Sequence, residues 1–205
     1  MEYVNVFDEQ HVFTRIASRD EVHAKGLWHE TFHCWLYDET HLYFQLRSAQ
    51  KKDYANLFDI TAAGHLEAHE APIDGLREVE EELGITLRID DVVKVGILRS
   101  EIVQPHMMDR EFCHVFIAPF TQSYEAFSLQ VDEVQGIAKA SIDNVQAFVA
   151  GTCETIQLEG FYEKNGSRHS LKQAATREHF VSFRGRYFDT LLTAITQQIE
   201  RATSL

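Results

Sequence analysis

The sequence predicts a mixed α/β (α+β) fold in which helices flank a mixed β-sheet. Strand-like apolar runs alternate along the chain with segments that carry helix start and stop signals. The chain has 205 residues, a length that suits one domain with a sizeable core. Hydrophobic residues make up 44% and charged residues 25%, and 14 Phe and 7 Tyr supply large side chains for that core.

The N-terminal quarter predicts a hairpin, a helix and two strands. "YVNVFDEQHVFTRI" predicts a short hairpin that turns near Asp8–Gln10. "SRDEVHAKG" predicts a short helix, because Ser18 is a preferred N-cap residue and Gly26 is a helix stop. "ETFHCWLYDETHLYFQLRS" predicts two strands on either side of an Asp38–Thr40 turn.

The middle of the chain predicts one helix between β-rich segments. "LFDITAAGHLE" predicts a short strand that runs into a loop. "PIDGLREVEEELG" predicts a helix with Pro72 near its first turn and Gly84 as its C-terminal stop. "VVKVGILRSEIV" and "REFCHVFIAPF" predict two strands that pair across the loop "QPHMMD".

The C-terminal third predicts a strand, a helix, a hairpin and a last helix. "DEVQGIAKASIDNVQAFVAG" predicts a strand and then a helix that Ser141 caps and that ends near Gly151. "TIQLEGFYEKNGSRHSLKQ" predicts a hairpin around Asn165–Gly166, a favoured two-residue turn. The tail predicts a helix whose apolar stripe comprises Phe188, Leu191, Leu192, Ile195 and Ile199.

These elements predict three parts of the chain. An N-terminal hairpin and short helix, residues 1–28, pack on a central domain over residues 29–155. Residues 156–205 form a C-terminal hairpin and helix extension. Three roles for the extension stay open: it caps a site, adds to the sheet, or forms the contact of a homodimer.

The charge balance restricts the class of partner. A formal net charge of -13 argues against a nucleic-acid polymer, because binding a phosphate backbone requires a basic surface. A small phosphorylated metabolite stays compatible with this charge, since magnesium can neutralise it locally. No apolar run has the length of a membrane-spanning helix, and the acidic start "MEYVNVFDEQ" lacks signal-peptide features. We therefore expect a cytoplasmic protein without a membrane partner.

The cysteines give little indication of function. Cys34, Cys113 and Cys153 are odd in number and widely spaced, and the sequence contains no CxxC pair. Cys34 and Cys113 lie in strand-like runs. We interpret them as buried small hydrophobic residues rather than as a disulfide framework or a zinc site.

The helix after Pro72 carries an unusual group of acids. Glu78, Glu81 and Glu82 stand at positions i, i+3 and i+4, so they share one helix face, whereas Glu80 points elsewhere. Like charges at these spacings repel each other. Two interpretations follow: a solvated acidic face, or a site for Mg²⁺ or Mn²⁺, which prefer carboxylate oxygens as ligands. The glycine-bearing loop before the helix and Arg77 at its start favour the metal site.

The stretch from Gly64 to Ile85 resembles the signature of the Nudix hydrolases. That signature is Gly, five residues, Glu, seven residues, then Arg-Glu-aliphatic-x-Glu-Glu-x-Gly-aliphatic. Arg77 to Ile85 matches the second half fully, and Gly64 and Glu70 match the first half. Six residues instead of seven separate Glu70 from Arg77, and Gly75 is a poor helix former. This departure leaves the role of Glu70 less secure.

The flanking segments are similar to the Nudix branch that includes isopentenyl-diphosphate isomerases and their hydrolase relatives. The similar segments are "SRDEVHAKGLWHETFHCWLY" and "YFQLRSAQKKDYANLFDITAAGHLEAHE". The resemblance covers the chain from Tyr3 to about Ala150 and implies a Nudix fold for the central domain. The tail resembles no family that we can assign.

The resemblance implies a metal-dependent diphosphate hydrolase. The implied ligands of Mg²⁺ (or Mn²⁺) are Glu78, Glu81 and Glu82 with the backbone carbonyl of Ala63, and Arg77 orients a glutamate through a salt bridge. The implied reaction is attack by water on a diphosphate linked to another group, with metal charge and positioning as the main catalytic effects.

The signature does not fix the general base. The candidates within the helix are Glu81 and Glu82. Glu133, in "QVDEVQG", is our preferred late candidate. The competing carboxylates, each of which is equally an exposed loop or edge residue, are Asp132, Glu101 and Glu111.

Several residues before the acidic helix are candidates for substrate binding. Arg47 and Lys51, in "LRSAQKKD", match places where the isomerase branch has phosphate-contacting basic residues. Lys52 is a weaker candidate of the same kind. Glu70 and His65 complete the predicted set, with metal ligation as the alternative for His65. We do not interpret His29 and His33 as a metal clamp, because their spacing of four falls in a predicted strand.

Two alternatives to a hydrolase stay open. An isomerase of the isopentenyl-diphosphate type needs a Cys just before the glycine-loop His, and "TAAGH" has none. A non-catalytic Nudix-fold binding protein usually lacks the acidic ligands that are present here. The substrate of a hydrolase is expected to be nucleotide-like or another small phosphorylated metabolite, and Trp35, Phe112 and Phe116 are candidates to stack on its ring or to pack in the core.

Overall fold

The computed structural model describes residues 2–104, 107–182 and 185–204. Four α-helices are present in this part of the chain: α1 Arg19–Lys25, α2 Leu76–Leu83, α3 Ile142–Val149 and α4 Gly185–Thr203. The strands are β1 Tyr3–Phe7, β2 Phe13–Ser18, β3 Trp28–Tyr37, β4 His41–Arg47, β5 Phe58–Ile60, β6 Ala62–His65, β7 Val93–Gln104, β8 Met107–Pro119, β9 Val134–Ser141, β10 Ile156–Lys164 and β11 Ser167–Ala175. The predicted mixed fold is confirmed.

The strands form one sheet with β3 near its centre. The main path runs β11-β10-β9-β4-β3-β1-β2, and β5, β6, β7 and β8 pair beside it. β3 pairs in parallel with β8 and antiparallel with β6. Since β8 and β6 both pair with β3, residues far apart in sequence come together here: His29 lies opposite Glu111, and Thr31 lies opposite both Cys113 and His65.

Helices cover both faces of this sheet. On one face, Trp35 and Phe44 pack with Val145 and Phe148 of α3 and with a stripe of α4 that comprises Phe188, Leu191, Leu192 and Ile195. On the other face, Phe32 packs with Val79 and Leu83 of α2. Burying apolar area on both faces is the main favourable contribution to such a layered fold.

The helix signals of the sequence act as predicted. The Ser18 side chain accepts a hydrogen bond from the Glu21 backbone N–H, and Gly26 ends α1 in the left-handed region. Ser141 caps α3 in the same way, by accepting from the Asn144 backbone N–H at 3.3 Å. Gly84 ends α2 at φ 68°, a conformation that glycine adopts without strain.

The helix predicted from Pro72 begins later than expected. Pro72–Gly75 is a 3₁₀ turn, and α2 proper starts at Leu76. Gly75 is buried directly against Phe32, so closely that a Cβ at Gly75 would lie 2.3 Å from the ring carbon Cγ. The glycine that seemed a defect in the helix therefore lets the turn approach the sheet.

The segment "LFDITAAGHLE", predicted as one strand that runs into a loop, forms the two strands β5 and β6. β5 pairs with β4, and β6 pairs with β3. Thr61 lies between them, and its hydroxyl donates to the Tyr43 carbonyl at 2.6 Å and accepts from the Leu36 backbone N–H at 3.1 Å. This buried side chain connects the two neighbouring strands at the point where the segment changes partner.

The elements after residue 155 continue the same sheet. β10 pairs with β9, and the β10–β11 hairpin turns at Asn165–Gly166 with positive φ at both residues, as the sequence predicts. α4 then packs under the sheet. No helix in the part of the chain described here is long and apolar enough to span a membrane.

Candidate active site

A cavity of about 820 Å³ opens at the start of α2. Its walls come from β3, β6, β8, α2, the segment after β4, and α4. The predicted site residues that line it are Arg47, Lys51, Ala63, His65, Arg77, Glu78, Glu81, Glu82 and Glu133. Segments that the sequence separates by more than a hundred residues thus face one space.

Arg77 joins the glycine loop to the acidic helix. Its Nε lies 2.6 Å from Glu70 Oε1 and its Nη2 lies 3.0 Å from Glu70 Oε2, and Nη2 also donates to the His65 carbonyl at 3.2 Å. Glu70 Oε2 accepts a further hydrogen bond from the Glu67 backbone N–H. The Arg77 hydrogen bonds lower the pKa of the Glu70 carboxyl. Glu70 is thus a hydrogen-bond partner of Arg77. The six-residue connection between them, one residue shorter than in the family pattern, is long enough for this contact.

Glu78 is held between Arg77 and the glycine loop. Arg77 Nη1 donates to Glu78 Oε1 at 2.5 Å. A Cβ on Gly64 would lie 2.3 Å from this carboxyl group, so only glycine leaves room for it. Burial raises the pKa of Glu78. Gly64, the loop glycine of the motif, therefore leaves the space that the Glu78 carboxylate occupies.

Glu82 is the most deeply buried acid of the helix. Its exposed fraction is 7%, and its Oε2 has no hydrogen-bond partner among the described residues. Burial, followed by the charge of Glu78, raises the pKa of Glu82 to about 8. Glu81 differs: it is exposed on the solvent side, and Arg77 Nη1 reaches it at 3.4 Å.

The predicted late base and the basic residues form pairs at the cavity wall. The Lys51 ammonium group makes a close ion pair with Glu133. Arg47 donates to Asp59 Oδ2 and to the Asp53 carbonyl, both at 3.1 Å. Of the three competing bases, only Glu111 lines the cavity: Asp132 accepts from Gln50, and Glu101 accepts from Arg110, both at exposed positions.

A group of histidines and acids lies beside the glutamates, and the sequence analysis named only two of its members, His65 and Glu111, as candidates. His23, His29 and His65 place their ligand nitrogens within 4.8 Å of one another, and His29, Asp109 and Glu111 do the same with their ligand atoms. His23 Nε2 lies 3.0 Å from His65 Nε2, and the His29 and His65 rings stack at 5.1 Å. Among the described groups with this spacing, the trio Glu78, Glu81 and Glu82 does not occur.

His29 is the centre of this second group. It is fully buried, its Nε2 lies 3.7 Å from Asp109 Oδ1, and neither atom has a hydrogen-bond partner within the described residues. Burial lowers the pKa of His29 to about 4, so the ring is neutral and can offer a lone pair. In the sequence, these residues are only isolated polar positions within apolar strands. They come into contact because β3 and β8 pair in parallel.

Buried polar atoms without partners concentrate around this cavity. Within the described part of the chain, five of them belong to its wall or to the histidine packed against it: His29 Nε2, Arg47 Nε, Tyr54 Oη, Glu82 Oε2 and Asp109 Oδ1. Such atoms are rare in folded proteins, because each costs free energy unless an ion, a water or a ligand satisfies it. The wall therefore has the properties of a ligand site.

Comparison with known proteins agrees with this site. The family model of the NUDIX domain matches residues 27–149, which is more than half of the chain. The chain belongs to the Nudix hydrolase family. This confirms the resemblance in the Gly64 to Ile85 stretch and the predicted Nudix fold, and it makes the protein a hydrolase that acts on pyrophosphate bonds.

Individual relatives cover most of the chain. A Nudix hydrolase of Clostridium acetobutylicum is 36% identical over 199 residues, which are 95% of this chain and 97% of that protein. Nudix hydrolase 3 of Arabidopsis thaliana is 32% identical over 139 residues, 64% of this chain and 18% of the plant protein. The structure of DR0079 from Deinococcus radiodurans has a TM-score of 0.55 at 16% identity and covers 73% of this chain and 90% of its own, which shows a shared fold.

Proposed function

We propose that this Nudix hydrolase uses Mg²⁺ or Mn²⁺ to cleave the diphosphate linkage of a small nucleotide-like or other phosphorylated metabolite. The observation that carries the proposal is the buried, unpartnered carboxyl of Glu82 beside Glu78 at the cavity wall. A carboxylate in this position requires a nearby positive charge to be stable in its ionised form.

The residues present fit a hard divalent cation. Glu78 and Glu82 supply carboxylate oxygens, which suit Mg²⁺ and Mn²⁺. Glu81 can join from the solvent side, and the Ala63 backbone carbonyl belongs to the adjacent strand β6. When bound, the ion would polarise a phosphoryl oxygen and lower the pKa of an attacking water.

The residues of the chain have separate tasks in this proposal. Arg77 holds Glu78 in place and ties it to the loop through Glu70. Lys51 is paired with Glu133. An incoming phosphate competes for Lys51, which leaves Glu133 free to accept a proton from water.

The second donor group widens the choice of metal. His23, His29 and His65 with Asp109 and Glu111 combine imidazole and carboxylate ligands, a set that suits Mn²⁺ and other transition metals better than Mg²⁺. Because His23, His65, Asp109 and Glu111 line the same cavity, both groups would act on one ligand. Cations held by these two groups would offset the negative charge of the protein at the cavity. They would thereby favour the binding of polyanionic substrates.

A substrate panel tests the proposal. The full chain would be assayed with compounds that contain a diphosphate linkage, in Mg²⁺, in Mn²⁺ and in EDTA, with the products identified by mass spectrometry in ¹⁸O-labelled water. We expect metal-dependent cleavage with one labelled phosphate product. Absence of turnover with every compound, together with no Mg²⁺ or Mn²⁺ binding by calorimetry, would overturn it. Tight ligand binding without turnover would instead indicate a binding protein.

A further inference from the structure

The C-terminal helix contributes Tyr187 and Phe188 to the wall of the cavity. α4 lies outside the NUDIX match of residues 27–149, yet the ring of Tyr187 lines the cavity with His33 and Glu111. The neighbouring side chains of α4, Phe188 and Leu191, are buried in the core, so the helix position is fixed by packing. Tyr187 differs from them because its hydroxyl group makes two polar contacts across to β3.

The direction of these hydrogen bonds follows from the chemistry of the groups. The indole Nε1 of Trp35 lies 2.9 Å from Tyr187 Oη, and an indole nitrogen can only donate. Tyr187 Oη is therefore the acceptor of this hydrogen bond. His33 Nδ1, also at 2.9 Å, is its second polar partner among the described residues, and we assign Tyr187 as the donor because its buried proton then has an acceptor.

The tautomer of His33 follows from this assignment. Since Nδ1 accepts from Tyr187, the proton of the neutral ring resides on Nε2. Nε2 lies 3.3 Å from Thr31 Oγ1 and 4.0 Å from Glu111 Oε2. The N–H group thus contacts the Thr31 hydroxyl and lies near the Glu111 carboxylate, which a shift of about 1 Å would bring within hydrogen-bond distance.

Glu111 is the point at which this chain of contacts meets the proposed metal group. It shares close spacing with His29 and Asp109 on one side and with His33 and Cys113 on the other. A carboxylate in such a position is oriented by the donors around it, as outer partners orient ligands in metal sites. Tyr187 is linked to Glu111 through His33, and Trp35 is linked to it through Tyr187 and His33.

We propose that Tyr187 is a positioning residue: it holds His33 with its proton on Nε2, so that His33 orients Glu111 toward the cavity. The positioning residue thereby comes from the C-terminal helix, outside the NUDIX match of residues 27–149. The catalytic consequence rests on the proposed function, whereas the tautomer of His33 does not.

The test uses Tyr187→Phe in the full chain, because this change removes the hydroxyl and keeps the ring. The matched control is Tyr124→Phe, whose hydroxyl donates to the Glu159 carbonyl away from the cavity. The first readout is the ¹⁵N NMR spectrum of the histidine rings, with His33 assigned through His33→Gln. We expect a protonated Nε2 and a hydrogen-bonded Nδ1 in the wild type, and a shift of Nδ1 and of the Trp35 indole signal in Tyr187→Phe only.

The second readout is steady-state kinetics on a cleaved substrate. Loss of an outer positioning contact predicts a fall in kcat of about tenfold with KM within about twofold, and no change in Tyr124→Phe. A proton on His33 Nδ1 in the wild type, or an Nδ1 signal that Tyr187→Phe leaves unchanged, would overturn the proposal. An unchanged kcat would overturn its catalytic part. If no substrate is cleaved, the NMR result alone decides the assignment of the tautomer.

Discussion

The Arg77 guanidinium binds both oxygens of the Glu70 carboxylate, at 2.6 and 3.0 Å. Through this bidentate pair, the loop that starts at Gly64 and the helix α2 meet around one arginine, although their connection is a residue shorter than the family pattern. Arg77 also donates to Glu78. One side chain thus fixes the relative position of the loop and of a proposed metal ligand.

Replacing this arginine by lysine should weaken both the fold and the activity. A lysine cannot form the two parallel hydrogen bonds to Glu70, so Arg77→Lys should destabilise the protein by about 1–3 kcal/mol and reduce kcat. Urea denaturation and steady-state kinetics measure the two effects. Arg88→Lys is the control, because Arg88 makes a similar pair with Asp91 at an exposed position and should show no measurable effect. Equal behaviour of both variants would contradict this role of Arg77.

Two glycines close to α2 should respond to alanine in opposite ways. At Gly64 the new Cβ meets the end of a flexible side chain, the carboxyl of Glu78, which can turn away. Gly64→Ala should therefore keep its thermal stability close to that of the wild type and lose metal affinity, as measured by calorimetry. At Gly75 the Cβ meets the buried ring of Phe32, so Gly75→Ala should lower the free energy of unfolding by about 1–3 kcal/mol. A Gly64→Ala protein that keeps its metal affinity but is clearly less stable than the wild type would show that Gly64 does not provide the space for Glu78.

The contribution of Glu82 to the stability of the protein in EDTA should fall as the pH rises. Burial raises the pKa of Glu82 from 4.5 to about 8, so between these values the folded protein holds a proton that the unfolded chain has released. This contribution is complete below the unfolded pKa of 4.5 and is lost as the pH rises through the folded pKa of about 8. The loss is on the order of a few kcal/mol.

Glu82→Gln isolates this contribution from that of other groups. Its side chain does not titrate, so the melting temperature of the wild type should fall relative to that of Glu82→Gln as the pH rises across the same range. Differential scanning calorimetry in EDTA gives both curves. If the difference between the two melting temperatures stays constant from mildly acidic to mildly alkaline pH, the buried proton is not on Glu82.

Glu133 and Lys51 should affect different kinetic constants. If Lys51 binds the substrate phosphate and releases Glu133 as a base, Lys51→Ala should raise KM and Glu133→Gln should lower kcat by about 10²–10⁴-fold. Asp132→Asn is the control for Glu133, because Asp132 is its neighbour and makes an exposed hydrogen bond to Gln50. A Glu133→Gln enzyme with wild-type kcat would leave Glu111 and the glutamates of the acidic helix as the candidates for the base.

Local signals in the sequence predicted most of the fold correctly. Ser18 and Ser141 cap helices, Gly84 ends one, and Asn165–Gly166 turns a hairpin, since each depends on a few neighbouring residues. The acidic helix face and the loop glycine were visible for the same reason. The period of the α4 stripe likewise predicted which of its side chains are buried.

What the sequence did not predict depends on contacts between distant segments. The start of α2 at Leu76 follows from the packing of Gly75 on Phe32, more than forty residues earlier in the chain. The group around His29 requires the parallel pairing of β3 with β8, which places Glu111 opposite it. The entry of Tyr187 into the cavity depends on the docking of α4. The hydrophobic periodicity of a short stretch of sequence does not indicate contacts between distant segments.

The kinetics of Glu82→Gln test the central claim most directly. The variant and its matched control, Glu80→Gln, would be compared with the wild type on a cleaved diphosphate compound in Mg²⁺. Glu80 lies on the exposed side of the same helix and contacts Thr86. We predict a loss of at least about 100-fold in kcat for Glu82→Gln, with a melting temperature in EDTA no lower than that of the wild type, and nearly full activity for Glu80→Gln. Wild-type turnover by Glu82→Gln would contradict the assignment of Glu82 as a ligand of the catalytic metal.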